Sequence, residues 1–331
     1  MTSALPTALI TGAAGQDGAL LSALLVARGH RVVGVVRPGT QDVLAGDERR
    51  SALLRGCELY SLDLTRPGEL REALRRVRPD EVYHLAAAHH SSEGGSVAGV
   101  ADWQKMTAVN FAAAEVIVAT VAAELPETRV VLASSSQIWT PDRVDHLVEE
   151  STPWQPSTYY GRTKSWAMDC LRHYRMAMGI HGCAAILFNH ESPLRAQSFV
   201  TRRVSRLAAA VRLGSSPTLH LRNIGARVDW TDARDVVEAL RRAGAPGAPG
   251  ECVVASGTSR SIRDLLDAAF AGVAGGWEAH VTYDRDEPTA SLLGMPALAD
   301  RAFGWKSAVS FDELIARMVD ADMESLAGRN L

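Results

Sequence analysis

The stretch Thr7-Ala-Leu-Ile-Thr-Gly-Ala-Ala-Gly-Gln-Asp-Gly18 decides the fold. A short apolar run ends in three glycines, and the residues that follow repeat apolar side chains with helical spacing. This order predicts a strand, a tight turn and a helix whose first N–H groups can bind a pyrophosphate. An ordinary glycine-rich connection has a similar composition, but the flanking pattern favours a nucleotide-binding turn. The candidate cofactor residues of the turn are Gly12, Gly15, Gln16, Asp17 and Gly18.

Apolar strands and helical segments alternate from this turn to residue 188. Strict alternation predicts an α/β fold with a doubly wound parallel sheet. Beyond residue 188 the pattern loosens, which indicates a smaller C-terminal lobe. We expect residues 1–188 to form the dinucleotide-binding domain, with a strand and helix near 250–274 returning to it. Residues 189–249 and 275–331 would form the C-terminal lobe, in which we expect the substrate to bind.

Strand ends supply the other candidate cofactor residues. Arg37 follows the second strand, where a basic side chain suits the 2′-phosphate of NADP and an acidic one suits the ribose of NAD. Arg37 therefore favours NADP, and NAD stays possible. Asp63 could meet the adenine edge or cap the helix that begins near Pro67. Leu64 and Ala86 complete the candidate set.

The segment Ser157-Thr-Tyr-Tyr-Gly-Arg-Thr-Lys164 contains a candidate catalytic pair. Tyr160 and Lys164 are four residues apart, so on a helix they share one face. An ammonium group beside a phenol stabilises the phenolate and allows it to accept a proton from a hydroxyl. Alone, this spacing is more often a surface pair. Polar residues at the carboxyl ends of the fourth and fifth strands add His89, His90, Ser135, Ser136 and Gln137 to the candidate site.

Composition narrows the class of protein. The chain has 331 residues, 47% hydrophobic and 22% charged, which suits one two-lobed globular unit. A net charge of −3 gives no electrostatic case for nucleic acid or an anionic membrane as a partner. The four cysteines lack paired metal-ligand spacing, so no metal site is expected. The first residues contain no apolar run long enough for a signal peptide or a membrane span, and we expect a cytoplasmic protein.

Taken together, these motifs resemble the GDP-mannose 4,6-dehydratase family, in the extended branch of the short-chain dehydrogenase/reductases. The resemblance covers about residues 7–323. It includes Gly12-Ala-Ala-Gly-Gln-Asp-Gly18, Tyr160-x-x-x-Lys164 and Leu187-Phe-Asn-His-Glu-Ser-Pro193. It implies a Rossmann-type domain, bound NADP and a nucleotide-linked, specifically GDP-linked, hexose as substrate. Relatives are commonly homodimers or homotetramers.

The resemblance also implies roles for individual residues. Tyr160 would take the proton of the sugar C4 hydroxyl while the C4 hydride passes to NADP. Lys164 would hold the nicotinamide ribose, and the Ser135 hydroxyl would stabilise the tyrosine and the substrate oxygen. Each arginine among the substrate candidates could instead be a surface residue. The candidate substrate-binding residues are His90, Ser136, Asn189, Arg195, Val200, Arg203, Arg227 and Arg285.

The departures from the family pattern affect the expected reaction. Dehydratases carry Thr-Ser-Glu where this chain has Ser135-Ser136-Gln137, and their glutamate removes the C5 proton. A glutamine amide cannot accept that proton. His89 replaces a serine of the family and could shuttle a proton or simply line the pocket. Arg227 stands one position before the family's phosphate-binding arginine, which would turn it to the other face of a strand.

Oxidation at C4 is therefore expected to be intact and elimination impaired. The first interpretation is a nucleotide-sugar epimerase. Alternatives are a 4,6-dehydratase that uses His89 or His90 as its base, a C4 ketoreductase, and a nucleotide sensor without activity.

Overall fold

The computed structural model describes residues 5–89 and 99–328. Its strands are β1 (Thr7–Thr11), β2 (Arg31–Val36), β3 (Cys57–Ser61), β4 (Glu81–His84), β5 (Arg129–Ser135), β6 (His146–Val148), β7 (Gly182–Leu187), β8 (Asn189–Glu191), β9 (Leu219–Asn223), β10 (Arg227–Asp232), β11 (Glu251–Val254), β12 (Ser259–Ser261), β13 (Val281–Arg285) and β14 (Leu292–Gly294). Its helices are α1 (Gln16–Ala27), α2 (Thr40–Ala45), α3 (Glu48–Leu53), α4 (Pro67–Val77), α5 (Val100–Met106), α6 (Ala113–Glu124), α7 (Tyr159–Met178), α8 (Val200–Arg212), α9 (Ala233–Ala243), α10 (Ile262–Ala269), α11 (Ala297–Phe303) and α12 (Phe311–Ala327).

A seven-stranded parallel sheet forms the centre, in the order β11-β7-β5-β4-β1-β2-β3. The predicted α/β, doubly wound architecture is confirmed. Ala8, Leu9 and Ile10 of β1 are fully buried, which explains why the strand is apolar throughout. The strand order reverses direction between β1 and β4. In such sheets, ligands bind at the carboxyl ends of the strands at this reversal.

Each face of the sheet is covered by helices. On one face, buried residues of α4, α6 and α7 pack against the strands. On the other face, α1 and α9 contribute Leu21, Leu25, Val236 and Leu240 to a second cluster. Burial on both faces is the reason that the strands read as continuous apolar runs rather than alternating ones.

The helical run Val100–Glu124 is long and apolar enough to cross a membrane, with a mean hydropathy of 1.7, and half of that window is buried inside the structure. Its α6 part packs Val116, Ile117 and Val121 into the core with α4 and α7. Packing within the fold accounts for this apolar character. A π-helical stretch, Thr107–Ala112, joins α5 to α6.

The C-terminal lobe has its own core, in which α8, α10 and α12 pack around Trp230 and Trp277. The division of the chain differs from the predicted one in two places. Strand β11 extends the large sheet beside β7, but the helix after it, α10, packs in the C-terminal lobe. Conversely α9, within the predicted substrate lobe, packs on α1. Helix α9 is amphipathic, and its apolar side covers the sheet face that α1 leaves open.

Candidate active site

The glycine turn after β1 depends on close backbone approaches. Gly12 has φ +74°, and a Cβ there would lie 2.8 Å from the Cα of Ala86, which follows β4. A Cβ on Gly18 would overlap the carbonyl oxygen of Gly12. Gly15 precedes α1 and has no side chain to cap it, so the first N–H groups of the helix face the turn without a side-chain acceptor. These features fit a dinucleotide pyrophosphate, which needs close backbone approach and a helix N-terminus.

A groove of about 680 Å³ runs from this turn along the carboxyl ends of the central strands. It brings together candidate residues from five separate parts of the chain. Those in its lining are Gly12, Gly15, Gln16, Asp17, Gly18, Arg37, Asp63, Leu64, Ala86, His89 and Arg195. The predicted cofactor residues from the turn and the strand ends thus lie in one cavity.

Besides Arg37, two further basic side chains line the groove. They are Arg50 of α3 and Lys105 of α5, and sequence reasoning missed both of them. Arg50 donates to the Leu194 carbonyl at 3.0 Å, while its buried Nε has no partner within the described residues. Asp63 accepts hydrogen bonds from the backbone N and hydroxyl of Thr65. It therefore shapes a local turn, and α4 is preceded by Arg66 rather than capped by Asp63.

The predicted catalytic residues meet beside this groove. The Ser135 side chain at the end of β5 lies close enough to the phenol of Tyr160 in α7 to lower its pKa. Lys164 lies one turn further along the helix with its Nζ 5.7 Å from the centre of the Tyr160 ring. That ammonium donates to the Ala133 carbonyl at 2.8 Å. Lys164 is therefore oriented by β5 and does not directly contact the phenol oxygen.

Burial dominates the electrostatics of this pair. Burial raises the pKa of Tyr160 to about 12, although the Ser135 side chain and the charge of Arg195 act in the opposite direction. Burial also lowers the pKa of Lys164 to about 8. Both shifts favour the neutral forms. The expected stabilisation of a phenolate by Lys164 is thus outweighed by desolvation in the protein without ligands.

Gln137 lies in a 3₁₀ turn, Ser136–Ile138, immediately after Ser135. Its side-chain oxygen accepts a hydrogen bond from the Thr158 hydroxyl at 3.1 Å. The same hydroxyl accepts from the Gly161 N–H and so caps α7. The Gln137 amide is thus fixed near the start of the helix that carries Tyr160.

His89 contacts Tyr160 directly, with ring centroids 4.9 Å apart and planes at 84°. His90 lies outside the described residues. Asn110, in the π-helical stretch, exchanges two hydrogen bonds with the backbone of Ala88 and donates to Thr163 of α7. Asn110 thereby ties the segment before His89 to the catalytic helix, and no local pattern in the sequence pointed to these partners.

The candidate substrate residues lie in different surroundings. Ser136 is buried in the 3₁₀ turn, Asn189 is exposed on β8, and Val200 begins α8 against the C-terminal core. Arg203 donates to the His220 carbonyl at 3.1 Å. Arg285 is 63% exposed at the end of β13.

Arg227 lies on β10, outside the groove lining. Its Nε is 3.1 Å from a carboxylate oxygen of Asp145 and also donates to the Ser259 hydroxyl. Its charge is therefore already compensated within the fold. Of the four candidate arginines, the structure places only Arg195 in the lining of the described groove.

A family model described as GDP-mannose 4,6 dehydratase matches residues 9–318. The chain belongs to the GDP-mannose 4,6-dehydratase family. Within the family it is 33% identical to GDP-mannose 4,6 dehydratase 1 of Arabidopsis thaliana, over 96% of this chain and 90% of the relative. It is 30% identical to the Homo sapiens GDP-mannose 4,6 dehydratase, over 96% and 91% of the two chains.

Solved structures show the same fold at lower identity. UDP-glucose 4-epimerase of Thermotoga maritima, with UDP-glucose, has a TM-score of 0.81 at 18% identity and covers 97% of this chain and 99% of that one. The Bordetella bronchiseptica enzyme WbmG, in complex with NAD, has a TM-score of 0.74 at 20% identity, with 97% and 94% covered. RMD from Pseudomonas aeruginosa, complexed with NADPH, has a TM-score of 0.75 at 21% identity, with 97% and 99% covered.

We predict that Lys164→Met stabilises the protein at pH 7 in the absence of ligands. A lysine whose pKa falls from 10.5 to about 8 on folding reduces the free energy of unfolding at every pH below 8. That loss disappears as the pH rises from 8 to 10.5. After allowance for the lost hydrogen bond to Ala133, the expected gain is about 2 kcal/mol at pH 7.

Urea unfolding at pH 7 and at pH 10 measures this difference. Lys306→Met is the control, because Lys306 is 73% exposed and pairs with Asp300 at the surface. A Lys164→Met variant that gains no stability at pH 7, or gains the same amount at both pH values, would contradict the assignment.

Proposed function

We propose that the protein modifies a nucleotide-linked hexose by transient oxidation at C4 and that the net reaction is epimerisation. The observation that carries this proposal is the grouping of Tyr160, Ser135 and Lys164 next to an amide, Gln137, where the family's dehydratases carry a carboxylic acid. The first three groups suffice to remove and return the C4 hydroxyl proton. The amide has no proton to exchange in an elimination.

The nicotinamide cofactor would accept the C4 hydride and later return it. Epimerisation at C4 would need its return to the other face of the ketone, and epimerisation at C3 or C5 would need proton exchange through the enolised ketone before the return. The residues of the chain handle the proton. With a pKa of about 12, Tyr160 holds its proton at neutral pH, which is the form that returns a proton to the sugar oxygen. Oxidation needs the phenolate, so bound ligands must lower this pKa for turnover. The Ser135 hydroxyl supports the phenolate by hydrogen bonding to it.

NADP is the proposed cofactor. Its support is Arg37, which follows β2, together with Arg50 and Lys105 in the lining of the same groove. A guanidinium group binds phosphate oxygens with two parallel hydrogen bonds, which suits a 2′-phosphate. NAD stays the alternative, and structural neighbours of both kinds exist, one in complex with NAD and one with NADPH.

A GDP-linked hexose is the proposed substrate, as family membership favours. Arg195 at the groove would meet the nucleotide diphosphate. Arg203 and Arg285 are further candidates on α8 and β13. We also propose that the enzyme acts in the cytoplasm as a homodimer or homotetramer, by analogy with its family.

A 4,6-dehydratase is the second candidate, and the contact between His89 and Tyr160 favours it. An imidazole has an unperturbed pKa of about 6.5 and exchanges protons near neutrality. A base in this position could remove the proton beside the C4 ketone in place of the missing glutamate. The mass of the product separates the two candidates, since dehydration removes one water and epimerisation leaves the mass unchanged.

We predict that Tyr160→Phe lowers turnover by at least about 10²–10⁴-fold, because the C4 hydroxyl proton then has no acceptor. The matched control is Tyr159→Phe, which removes a neighbouring hydroxyl that bonds Thr107 at 2.8 Å. Steady-state rates with GDP-hexoses and NADP measure both variants. Near-normal turnover in Tyr160→Phe would refute the assignment of the base.

We predict that Gln137→Glu increases the dehydrated fraction of product. A glutamate can still accept the hydrogen bond from Thr158, so the 3₁₀ turn should persist while a proton acceptor is gained. Mass spectrometry of the products measures the change, with the exposed Gln155→Glu as control. An unchanged product mixture contradicts the proposed role of Gln137. If wild type already dehydrates and His89→Asn stops it, the second candidate is correct.

We predict that Arg37→Asp weakens binding of NADP relative to NAD by about 10–100-fold, through loss of a charge-assisted contact to the 2′-phosphate. Titration calorimetry with each dinucleotide measures the ratio. Arg31→Asp is the control, because it makes the same charge change at the opposite end of β2. An unchanged NADP-to-NAD ratio would show that Arg37 does not select the cofactor.

A further inference from the structure

Asp17 of the glycine turn contacts His190 of β8, and the proposed chemistry has no use for this histidine. The Nε2 of His190 lies 2.9 Å from a carboxylate oxygen of Asp17, and its Nδ1 lies 2.7 Å from the Phe188 carbonyl. The side chains of Asp17 and His190 are only 20% and 12% exposed. The contact joins residues 173 positions apart in the chain.

Both partners of the imidazole are acceptors. A carbonyl oxygen and a carboxylate oxygen can only receive hydrogen bonds, so both ring nitrogens must carry a hydrogen. His190 is therefore an imidazolium cation in this arrangement, and with Asp17 it forms a charged pair with little exposure to solvent. Removal of one charge would leave the other uncompensated, which is costly in such a site.

Gln16 makes a second connection between the same two segments. Its side-chain nitrogen donates to the His190 carbonyl at 3.1 Å, and its side-chain oxygen accepts from the Ser192 hydroxyl at 2.8 Å. Both the nitrogen and the oxygen of the Gln16 side-chain amide are thus hydrogen bonded. Together, Gln16 and Asp17 fix the start of α1 to the chain segment that leaves the sheet after β7.

On the other side of β8, Glu191 points into the C-terminal lobe. Its carboxylate accepts from the Thr201 hydroxyl at 2.7 Å and lies 3.3 Å from the guanidinium of Arg195. Arg195 in turn stacks over the Phe199 ring at 3.6 Å. Arg195 and Phe199 line the same groove as the glycine turn. Two successive residues of one strand, His190 and Glu191, therefore each contact a residue that lines the groove, Asp17 and Arg195 respectively.

We propose that His190 is a positioning residue for the dinucleotide: as a cation, it holds the glycine turn through Asp17 and keeps the Arg195 loop at the same groove. The proposal rests on the proposed function in taking this groove as the cofactor site. Beyond that function, the proposal states that dinucleotide affinity depends on the protonation of His190, a residue that does not contact the reacting atoms.

The charges around His190 set the direction of the pH dependence. Burial lowers the pKa of His190, but the charge and hydrogen bond of Asp17 raise it, and the net result is a pKa above 6.5. Arg195 opposes this rise, and the neighbouring Glu191 is the other charged group nearby. Burial raises the pKa of Asp17 while His190 lowers it, with a net lowering. The charged pair therefore persists through neutrality and is lost as the pH rises through the pKa of His190.

Dinucleotide affinity, measured by titration calorimetry with NADP and NAD from pH 6 to pH 9.5, tests the proposal without turnover. We expect His190→Gln and Asp17→Asn each to weaken binding by about 10–100-fold at pH 7, the cost of a charged hydrogen bond. Because the two residues act as one unit, the double variant should be no weaker than the weaker single variant. The affinity of the wild type for the dinucleotide should fall at alkaline pH, as His190 loses its proton. In His190→Gln the affinity should fall less steeply with pH, because this deprotonation no longer contributes.

The difference between the pH profiles of wild type and His190→Gln reports the titration of His190 alone. Lys164, with a pKa of about 8, titrates in both proteins, so its effect cancels. Asp322→Asn is the structural control. Asp322 is a buried carboxylate in the C-terminal lobe that pairs with Arg202 at 2.7 Å. This variant should lower stability and leave the pH profile of dinucleotide binding unchanged.

If His190→Gln binds dinucleotide as wild type does, with the same pH profile, the proposal is wrong. Should the variants not fold, NMR of the wild-type histidine rings decides the question. A His190 ring that is neutral at pH 7, or unchanged in its titration when NADP or NAD is added, overturns the proposal. Absence of any dinucleotide binding in wild type would instead refute the proposed function.

Discussion

The helix that carries Tyr160 touches the 3₁₀ turn that follows β5 with no side chain between them, and the candidate site depends on this contact. A Cβ on Gly161 would overlap the carbonyl oxygen of Gln137, so only glycine permits the approach. The Thr158 hydroxyl completes the junction, because it caps the helix and donates to the Gln137 amide. This one backbone contact brings together the phenol, the Ser135 hydroxyl and the Gln137 amide.

The candidate site contains several buried ionisable groups, and burying their charged forms reduces the stability of the fold. A lysine and a phenol are both shifted towards their neutral forms by burial, and a carboxylate–imidazolium pair lies nearby at the glycine turn. Buried charges of this kind contribute little to stability and are costly when one partner is removed. A protein that retains such groups in and beside one groove gives up stability for chemistry and binding, the trade-off that is expected at an active site.

Local sequence patterns predicted the central sheet and its helices well, because the spacing of apolar residues shows which side of a strand or helix is buried. The alternation up to residue 188 led to the parallel sheet, and the glycine spacing led to a turn whose five candidate residues all line one groove. The packing of helix α9 was not predicted, because its apolar side is visible in the sequence but the surface that it covers, beside α1, is set only by the fold. The destination of α10 was assigned wrongly for a similar reason: an amphipathic helix shows that it packs, but not on which surface.

The sequence alone determined the class of fold and the chemical capacity of each group: Gln137 has no proton to transfer, and Tyr160 and Lys164 share a helix face. Only the tertiary structure decided which distant groups meet. Asp17 and His190 became a charged pair, His89 came against Tyr160, and Arg227 was compensated by Asp145. The physical reason is that local propensity depends on residues a few positions apart. Contacts between strand ends depend instead on the order in which the whole sheet is assembled.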